Sequence, residues 1–342
     1  SLFNIYHSRF TIYHRRVANQ PRTLIIINKA AAKARRSWPI VCEQLQATGL
    51  HFDSYETTQP GDAALRTRAA LRDGITTIAL VGGDGTLSEA AEGFFEFGNQ
   101  PESLPSPINS RAALAILPAG TGNDYARGLI GRRTRLEQWT ELLSSHCQKK
   151  YEPSTRLVDV MYGACDGYAS RFICLNASTM GIGGETAARV AAQGGFMRSF
   201  SGEVRFAAAA VGALGAWRER PVRVSIDENV VIEGGMNLVA VANGPFAGGG
   251  MMLSPTAQVD DGKLDVVTAS GLSRAAVIRE LPRIHTGGHV KNSKVRITKG
   301  EKVRIDTFSR QAGMLIEADG NVRGKTPVEF RIMPGALRIV AS

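Results

Sequence analysis

A cluster of glycines around one carboxylate is the part of the sequence best suited to chemistry. In VGGDGTLSE, residues 81–89, Gly82, Gly83 and Gly85 surround Asp84 directly after an apolar run. Glycines at the carboxyl end of a strand let a ligand approach the backbone, and the N–H groups that open the next helix attract an anion. The stretch therefore predicts a phosphate site, with Asp84 able to order Mg²⁺ or to accept a proton. A tight turn with a helix-capping aspartate is the alternative interpretation.

A second glycine-rich turn repeats this construction. In LPAGTGNDYAR, residues 117–127, Gly120 and Thr121 follow an apolar run, and Asn123 and Asp124 stand where a helix begins. The Thr121 hydroxyl can donate to a phosphate oxygen, and Asp124 can share the metal ion. Two such turns at the same edge of one sheet predict that both face a single nucleotide phosphate.

The elements that would hold these turns alternate between strands and helices. Strands are predicted over residues 23–28, 51–58, 76–83 and 112–120, and helices over 38–49, 61–74, after Gly85, from Asn123 and over 135–146. This alternation predicts an α/β domain with a parallel sheet covered on both faces.

The pattern changes after about residue 150. Short β-branched runs punctuated by Gly, Asp and Asn predict a mainly-β domain, an antiparallel β-sandwich, with helical interruptions near residues 185–217 and 273–284. We therefore divide the chain into an N-terminal extension (1–21), an α/β domain (22–150) and a mainly-β domain (151–342). The sequence leaves open whether the last strand returns to the first domain.

Composition narrows the classes of partner. The net charge of +10 predicts anionic partners, but the basic residues are scattered without aromatic interleaving, so nucleic acid is not expected. The four cysteines show no metal-ligand spacing, which is typical of reduced thiols in the cytosol. No apolar run approaches the ~20 residues that span a bilayer. Residues 1–21 are predicted to be a loosely ordered arm, with a membrane-surface segment as the alternative.

VGGDGT and LPAGTGNDYAR together resemble the diacylglycerol kinase catalytic-domain family, which includes sphingosine and ceramide kinases and bacterial lipid kinases. The resemblance continues through residues 241–267, 285–297 and 326–340. It implies a nucleotide-binding domain and a β-sandwich domain with the active site in the cleft between them. It also implies an ATP- and Mg²⁺-dependent kinase that phosphorylates a lipid hydroxyl, with diacylglycerol as the default acceptor and sphingoid or other lipid alcohols as alternatives. The implied enzyme is cytoplasmic and binds an anionic membrane peripherally, and a homodimer is left open.

The resemblance also implies roles for individual residues. The implied ATP contacts are Asn28, Lys29, Ala30, Ala31, Ala32, Thr57, Gly82, Gly83, Asp84, Gly85, Thr86, Leu87, Ser88, Glu89, Gly120, Thr121 and Asn123. Gln258, Asp261 and the carbonyl of Lys263 stand at the positions of a structural Mg²⁺ site, and a β-turn without metal is the alternative there. The candidate catalytic residues are Asp84, Asp124, Asp319 and Asn321.

Asn321 departs from the family pattern. In EADGNVRG, residues 317–324, it replaces the glutamate that is assigned in bacterial members as the base for the lipid hydroxyl, and an amide cannot accept that proton. Three interpretations remain: Asp84 is the base, Asp319 or another carboxylate replaces it, or turnover is slow. We favour Asp84. A soluble NAD kinase, which also carries GGDGT, and a non-enzymatic lipid or nucleotide sensor are the alternative functions.

Overall fold

A computed structural model describes residues 23–131, 134–148, 155–194, 200, 202–308 and 313–341. The expected N-terminal extension and the expected domain boundary near residue 150 lie outside these residues. Within the described ranges, no helix combines the length and the apolar character needed to cross a membrane.

The first half of the chain alternates strands and helices as predicted. Its elements are β1 (Thr23–Ile27), α1 (Ala32–Ala47), β2 (Asp53–Glu56), α2 (Asp62–Arg72), β3 (Thr77–Gly82), α3 (Asp84–Glu92), the short strands β4 (Phe95–Glu96) and β5 (Ser106–Pro107), β6 (Ala113–Pro118), α4 (Asp124–Ile130) and α5 (Leu136–Cys147). Strands β2, β1, β3 and β6 are parallel neighbours in that order. All residues of β1, β3 and β6 are buried, which explains why their sequences are continuously apolar.

The second half of the chain is mainly β. Its elements are β7 (Thr155–Cys165), β8 (Ser170–Cys174), β9 (Ala177–Gly181), α6 (Ile182–Ala191), α7 (Gly202–Ala216), β10 (Arg220–Ile226), β11 (Asn229–Met236), β12 (Leu238–Ala242), β13 (Leu264–Ala269), α8 (Arg274–Ile284), a 3₁₀ turn (Gly288–Lys291), β14 (Val295–Gly300), β15 (Lys302–Thr307), β16 (Leu315–Ala318), β17 (Asn321–Lys325) and β18 (Val328–Val340). One antiparallel sheet has the order β14-β13-β12-β9-β16-β17. An apolar core separates it from β7, β8, β10, β15 and β18. The predicted fold class is confirmed.

Strand β18 belongs to both halves. Its first residues pair with β15 and its last ones, Arg338 and Ile339, pair in parallel with Ala113 and Leu114 of β6, while β7 runs along its other side. The parallel sheet and one layer of the sandwich are therefore one continuous sheet, in the order β11-β10-β15-β18-β6-β3-β1-β2. Backbone hydrogen bonds thus fix how the two halves face each other.

Two details differ from the sequence-based expectation. Helix α1 begins at Ala32, about two turns before the predicted start, although Pro39 lies inside it. Ala, Lys and Arg are strong helix formers, and they carry the helix through the turn that follows β1. The β4–β5 pair was not predicted, because two-residue strands leave no periodic pattern.

Candidate active site

The two glycine-rich turns lie against each other. Strands β3 and β6 pair in register, with Gly82 opposite Pro118, so both chains leave the sheet at the same edge. A methyl group built on Gly120 would lie 2.4 Å from the Cα of Gly83. Neither turn can carry a side chain at this contact, and both present backbone to the space above the sheet edge. The sequence-based prediction that the turns are neighbours agrees with this geometry.

Asp84 links the two turns through its carboxylate. It accepts hydrogen bonds from the backbone N–H groups of Asp124 and Tyr125, each at 3.1 Å. Asp84 therefore caps α4 and not its own helix, which is a long-range version of the capping role considered from the sequence. Burial, followed by the nearby carboxylate of Asp124, raises the pKa of Asp84 to about 6, although the two N–H groups oppose the shift. A carboxylate with this pKa is charged at pH 7 and is still a competent proton acceptor.

Asp124 connects the site to the second half of the chain. Its side chain is buried and accepts a hydrogen bond of 2.7 Å from the backbone N–H of Gly249. The Arg127 guanidinium lies 4.0 Å from the other carboxylate oxygen, donates to the Gly122 carbonyl at 3.4 Å and stacks over Phe246. We call residues 246–252 the glycine loop. Asp124 and Arg127 therefore anchor this loop against α4.

The turn after β1 joins the same network. Asn28 donates its amide N–H to the Thr86 hydroxyl at 2.8 Å, and its carbonyl oxygen accepts from the N–H groups of Ala30 and Ala31. The Lys33 ammonium donates to the Gly120 carbonyl at 3.2 Å. The turns after β1, β3 and β6 are therefore tied together by side chains that the sequence pattern placed in three separate motifs.

The other residues predicted to contact the nucleotide have partners of their own or are buried. Thr57 follows β2 and donates to the Ile27 carbonyl at 3.4 Å, and the side chain of Lys29 is paired with Glu56. The side chains of Leu87 and Ser88 are buried: Leu87 packs in the core, and the Ser88 hydroxyl donates to the Ile173 carbonyl at 3.2 Å. These two residues can therefore offer a nucleotide only their backbone. Glu89 accepts from the Gly61 N–H at 3.0 Å and so braces α2.

The hairpin between β16 and β17 closes the site from the sandwich side. The Asn321 amide donates to the Gly85 carbonyl at 3.3 Å, so this residue lies beside the turn that bears Asp84. The Asp319 carboxylate is buried and accepts from three backbone N–H groups, those of Leu175, Asn176 and Ala177, at 2.6–3.1 Å. Asp319 therefore holds the hairpin to the chain after β8 and is poorly placed to take a proton from a substrate.

Known protein families match both halves of this architecture. A model of the diacylglycerol kinase catalytic domain matches residues 22–155, and a model of the YegS C-terminal NAD kinase beta sandwich-like domain matches residues 179–341. A probable lipid kinase YegS-like from Xanthomonas oryzae pv. oryzae is 30% identical over 297 residues, which cover 86% of this chain and 88% of the relative. The chain belongs to the diacylglycerol kinase catalytic-domain family.

More distant members of the diacylglycerol kinase family agree in extent and in fold. A diacylglycerol kinase of Mycobacterium tuberculosis strain H37Rv is 27% identical over 289 residues, 82% of this chain and 81% of the relative. The crystal structure of a putative diacylglycerol kinase from Bacillus anthracis str. Sterne superposes with a TM-score of 0.69 at 20% identity, covering 94% of this chain and 98% of that one. The resemblance inferred from the motifs is confirmed along nearly the whole described chain.

One residue at the site, Arg127, and one buried carboxylate near it, Glu317, were missed from the sequence. Arg127 lies three residues after Asp124, at helical spacing, and that spacing was the available signal. Together with Lys33, Thr121 and Trp139 it lines a cavity of about 120 Å³ behind the second turn. Burial raises the pKa of Glu317 to about 7, and its carboxylate accepts from the Thr179 hydroxyl and the Gly320 N–H. Its place two residues before Asp319 gave no indication of this shift.

Glu317 and Asn321 project from opposite faces of their hairpin. Asn321 is the cross-strand partner of Ala318, whereas Glu317 is the partner of Val322. Opposite partners share a face and successive residues alternate between faces. The Asn321 amide contacts the Asp84 turn, so Glu317 points away from that turn.

The expected structural Mg²⁺ site has a lysine in it. Asp261 accepts from the Lys263 N–H at 3.0 Å and from the Lys299 ammonium at 2.9 Å. The same ammonium lies 3.1 Å from the buried Asp265 carboxylate and donates to the Thr256 carbonyl at 3.0 Å. The residues present therefore fit a lysine cation at this position, because a resident divalent ion beside Asp261 would meet the like charge of the Lys299 ammonium.

We expect the fold to be independent of divalent cations, with Lys299 supplying the positive charge. Lys299→Met should lower the unfolding temperature by about 3–8 °C, because it leaves the buried Asp265 without its cation. Addition of EDTA to the unsubstituted protein should leave that temperature unchanged in thermal unfolding measurements. Lys263→Met is the matched control, because the pair of Lys263 with Glu301 is solvent-exposed and worth little. A marked fall in unfolding temperature with EDTA would contradict this assignment.

Proposed function

We propose that this protein is an ATP- and Mg²⁺-dependent lipid kinase that transfers the γ-phosphoryl group to a lipid hydroxyl, with diacylglycerol as the default acceptor. The observation that carries the proposal is the contact between the Gly83 and Gly120 turns, with the Asp84 carboxylate between them. Family membership and the similarity to a diacylglycerol kinase and to a probable lipid kinase support the lipid class of acceptor. In this proposal the enzyme works at an anionic membrane surface from the cytoplasm.

The chemistry assigned to the chain's own residues is binding, orientation and proton transfer. Mg²⁺–ATP is the substrate, and the backbone N–H groups of the two turns bind its phosphates, while Lys33 adds positive charge beside Gly120. The lipid oxygen attacks the γ-phosphorus and its proton passes to the Asp84 carboxylate. The bond between the γ-phosphorus and the bridging oxygen breaks, and ADP leaves. Positioning and electrostatics carry most of such a reaction.

Three observations favour Asp84 as the base. Its pKa of about 6 suits proton transfer near neutrality. Asp319 is occupied by three N–H donors, and Glu317 projects from the other face of the hairpin. Asn321 has no basic atom at neutral pH, but its contact with Gly85 suits it to hold the Asp84 turn.

The proposal predicts a pH dependence. Because Asp84 must be deprotonated to accept a proton, kcat/KM for ATP should fall about tenfold per pH unit below a pKa of about 6 and level off above it. Initial rates between pH 4.5 and 8 in buffers of constant ionic strength measure this limb. A profile that stays flat down to pH 5 would remove Asp84 from the role of base.

Restoring the family glutamate at position 321 should bring little gain. A carboxylate introduced there would face the Gly85 carbonyl that Asn321 now contacts as a donor, and the two acceptors would repel each other. With Asp84 as the base, we expect the kcat of Asn321→Glu to stay within about threefold of the unsubstituted enzyme, whereas restoring a missing base would raise it ~10²–10⁴-fold. Asn321→Gln, which keeps the amide donor, is the control.

A soluble NAD kinase is the second candidate, because the matched C-terminal domain is described as NAD kinase beta sandwich-like. A phosphorylation screen that offers a lipid panel and NAD side by side, read by mass spectrometry, separates the two. Phosphorylation of a lipid alcohol and not of NAD is expected. NADP as the only product would overturn the lipid proposal.

A further inference from the structure

Helix α8 presents an unusual outer face. Arg274, Ile278, Leu281 and His285 follow one another at intervals of four, three and four residues, so they share one side of the helix. Ile278 and Leu281 are 57% and 44% exposed on that side. Ile284, at the C-terminal end of the helix, is partly buried and packs against the apolar cluster of β12 and β13 that contains Ala240 and Val267. Large aliphatic side chains are therefore displayed to solvent on a helix that has no fully buried residue and contacts the apolar cluster of the sheet through Ile284.

Positive charge surrounds these aliphatic side chains. Residues 274–296 contain a single acidic residue, Glu280, whose side chain is largely buried and paired with Arg283. The basic residues of the same stretch are exposed; they are Arg274, Arg279, Arg283, Lys291, Lys294 and Arg296. Aliphatic side chains flanked by cations are the composition of helices that lie in the interface of anionic membranes.

The α8 face is connected to the candidate active site through the glycine loop. Met252 donates its N–H to the carbonyl of Ile284 at 2.8 Å, and the imidazole Nδ1 of His285 lies 3.2 Å from the Gly250 carbonyl. The neighbouring residue of that loop, Gly249, donates to Asp124. A surface bound by α8 would thus lie one short loop away from the cleft.

Helix α7 adds an uncharged apolar surface beside the same loop. Residues 206–217 contain no charged side chain, and Ala207, Ala208 and Val211 of one helical face are exposed, Val211 by 72%. Phe206 of this helix approaches the glycine loop, since a methyl group on Gly248 would lie 3.5 Å from its ring. Both helices that border the loop therefore expose apolar side chains.

We infer that the outer face of α8, with Ile278 and Leu281 between the cations of residues 274–296, is the surface that docks this protein on an anionic lipid bilayer. The positive charge of this face favours an anionic bilayer over a second copy of the chain as its binding partner. A twofold interface would place this basic patch against itself, which like charges oppose, whereas anionic headgroups attract it. The inference rests on the proposed function, because it assigns the face through which a lipid kinase would reach an acceptor in a membrane.

The test compares two pairs of substitutions at equally exposed positions. Ile278→Asp with Leu281→Asp alters the α8 face, and Val230→Asp with Val231→Asp alters β11, where the two valines are 56% and 40% exposed. Sedimentation with phosphatidylcholine–phosphatidylglycerol vesicles, and with pure phosphatidylcholine vesicles, measures binding. We expect the unsubstituted protein and the β11 variant to bind the mixed vesicles but not the pure phosphatidylcholine vesicles. The α8 variant should bind the mixed vesicles more weakly, by about tenfold or more.

Activity assays keep this inference separate from the proposed function. The α8 variant should phosphorylate a dispersed short-chain diacylglycerol at the rate of the unsubstituted enzyme and lose activity only on vesicles. If no lipid is phosphorylated by any form, the proposed function fails while the vesicle result still decides the docking face. Unchanged vesicle binding by the α8 variant would overturn the inference. So would a dimer of the unsubstituted protein that the α8 substitutions convert to monomers, because the occupant would then be a second copy.

Discussion

Asp84→Asn should lower the rate of phosphoryl transfer by about 10²–10⁴-fold, because the amide keeps the shape of the side chain but cannot accept a proton. The carbonyl oxygen of the new amide can still accept one of the N–H groups of Asp124 and Tyr125, so α4 should retain its start. Single-turnover rates with the preferred lipid measure the effect. The unfolding temperature and the Kd for an ATP analogue should change little by comparison.

A matched substitution distinguishes the effect of losing the base from the effect of losing one negative charge. Asp53 is an exposed carboxylate at the start of β2, in the same sheet, and Asp53→Asn should leave the rate unchanged. If Asp84→Asn retained full activity with an intact fold, Asp84 would not be the base.

Gly120→Ala should weaken nucleotide binding severely. The new methyl group would lie 2.4 Å from the Cα of Gly83 and 2.9 Å from the Asn123 side-chain oxygen, and both neighbours are fixed by hydrogen bonds of the turns. The turns must separate to accommodate it, so the N–H groups of one turn no longer face the same phosphates as those of the other. We expect a loss of about 100-fold or more in affinity for an ATP analogue by calorimetry, because phosphate binding depends on this convergence.

Gly215→Ala is the control for the added methyl group. Gly215 lies in α7, and no heavy atom of the described residues lies within 4 Å of the position that its Cβ would take. Alanine is a better helix former than glycine, so this variant should keep full affinity and gain about 0.5–1 kcal/mol in stability. Equal affinity of Gly120→Ala and the unsubstituted protein would show that the two turns do not bind one triphosphate.

The sequence was informative where the chemistry is local. Glycines directly after apolar runs predicted both turns, and the parallel sheet implied by the alternation of strands and helices predicted that they lie at one edge. The bond from Asp84 to the N–H groups of α4 joins residues 40 positions apart, and the bond from Asp124 to Gly249 joins residues 125 apart. No local pattern encodes such pairs, because the first depends on the pairing of β3 with β6 and the second on how the two halves pack.

Charged groups that meet from distant parts of the sequence could not be predicted either. The resemblance implied a Mg²⁺ site at Gln258, Asp261 and the Lys263 carbonyl, but the Lys299 ammonium reaches Asp261 from β14, 38 residues later in the sequence. The replacement of a glutamate by Asn321 was visible in the sequence, whereas the occupation of Asp319 by three N–H donors required the fold. The motif alone therefore left several carboxylates as candidate bases, and the hydrogen bonds of Asp319 argue against that residue.

The 13-residue strand shared by both halves limits how this molecule can admit large substrates. A wide hinge rotation, as in enzymes whose lobes are joined by a flexible linker, would tear the ladder that β18 forms with β6, β7 and β15. We expect substrate entry and exit to rely instead on small displacements of the glycine loop, which Asp124 anchors. In such a rigid frame, opening and reclosing of that short loop would then set the pace of turnover.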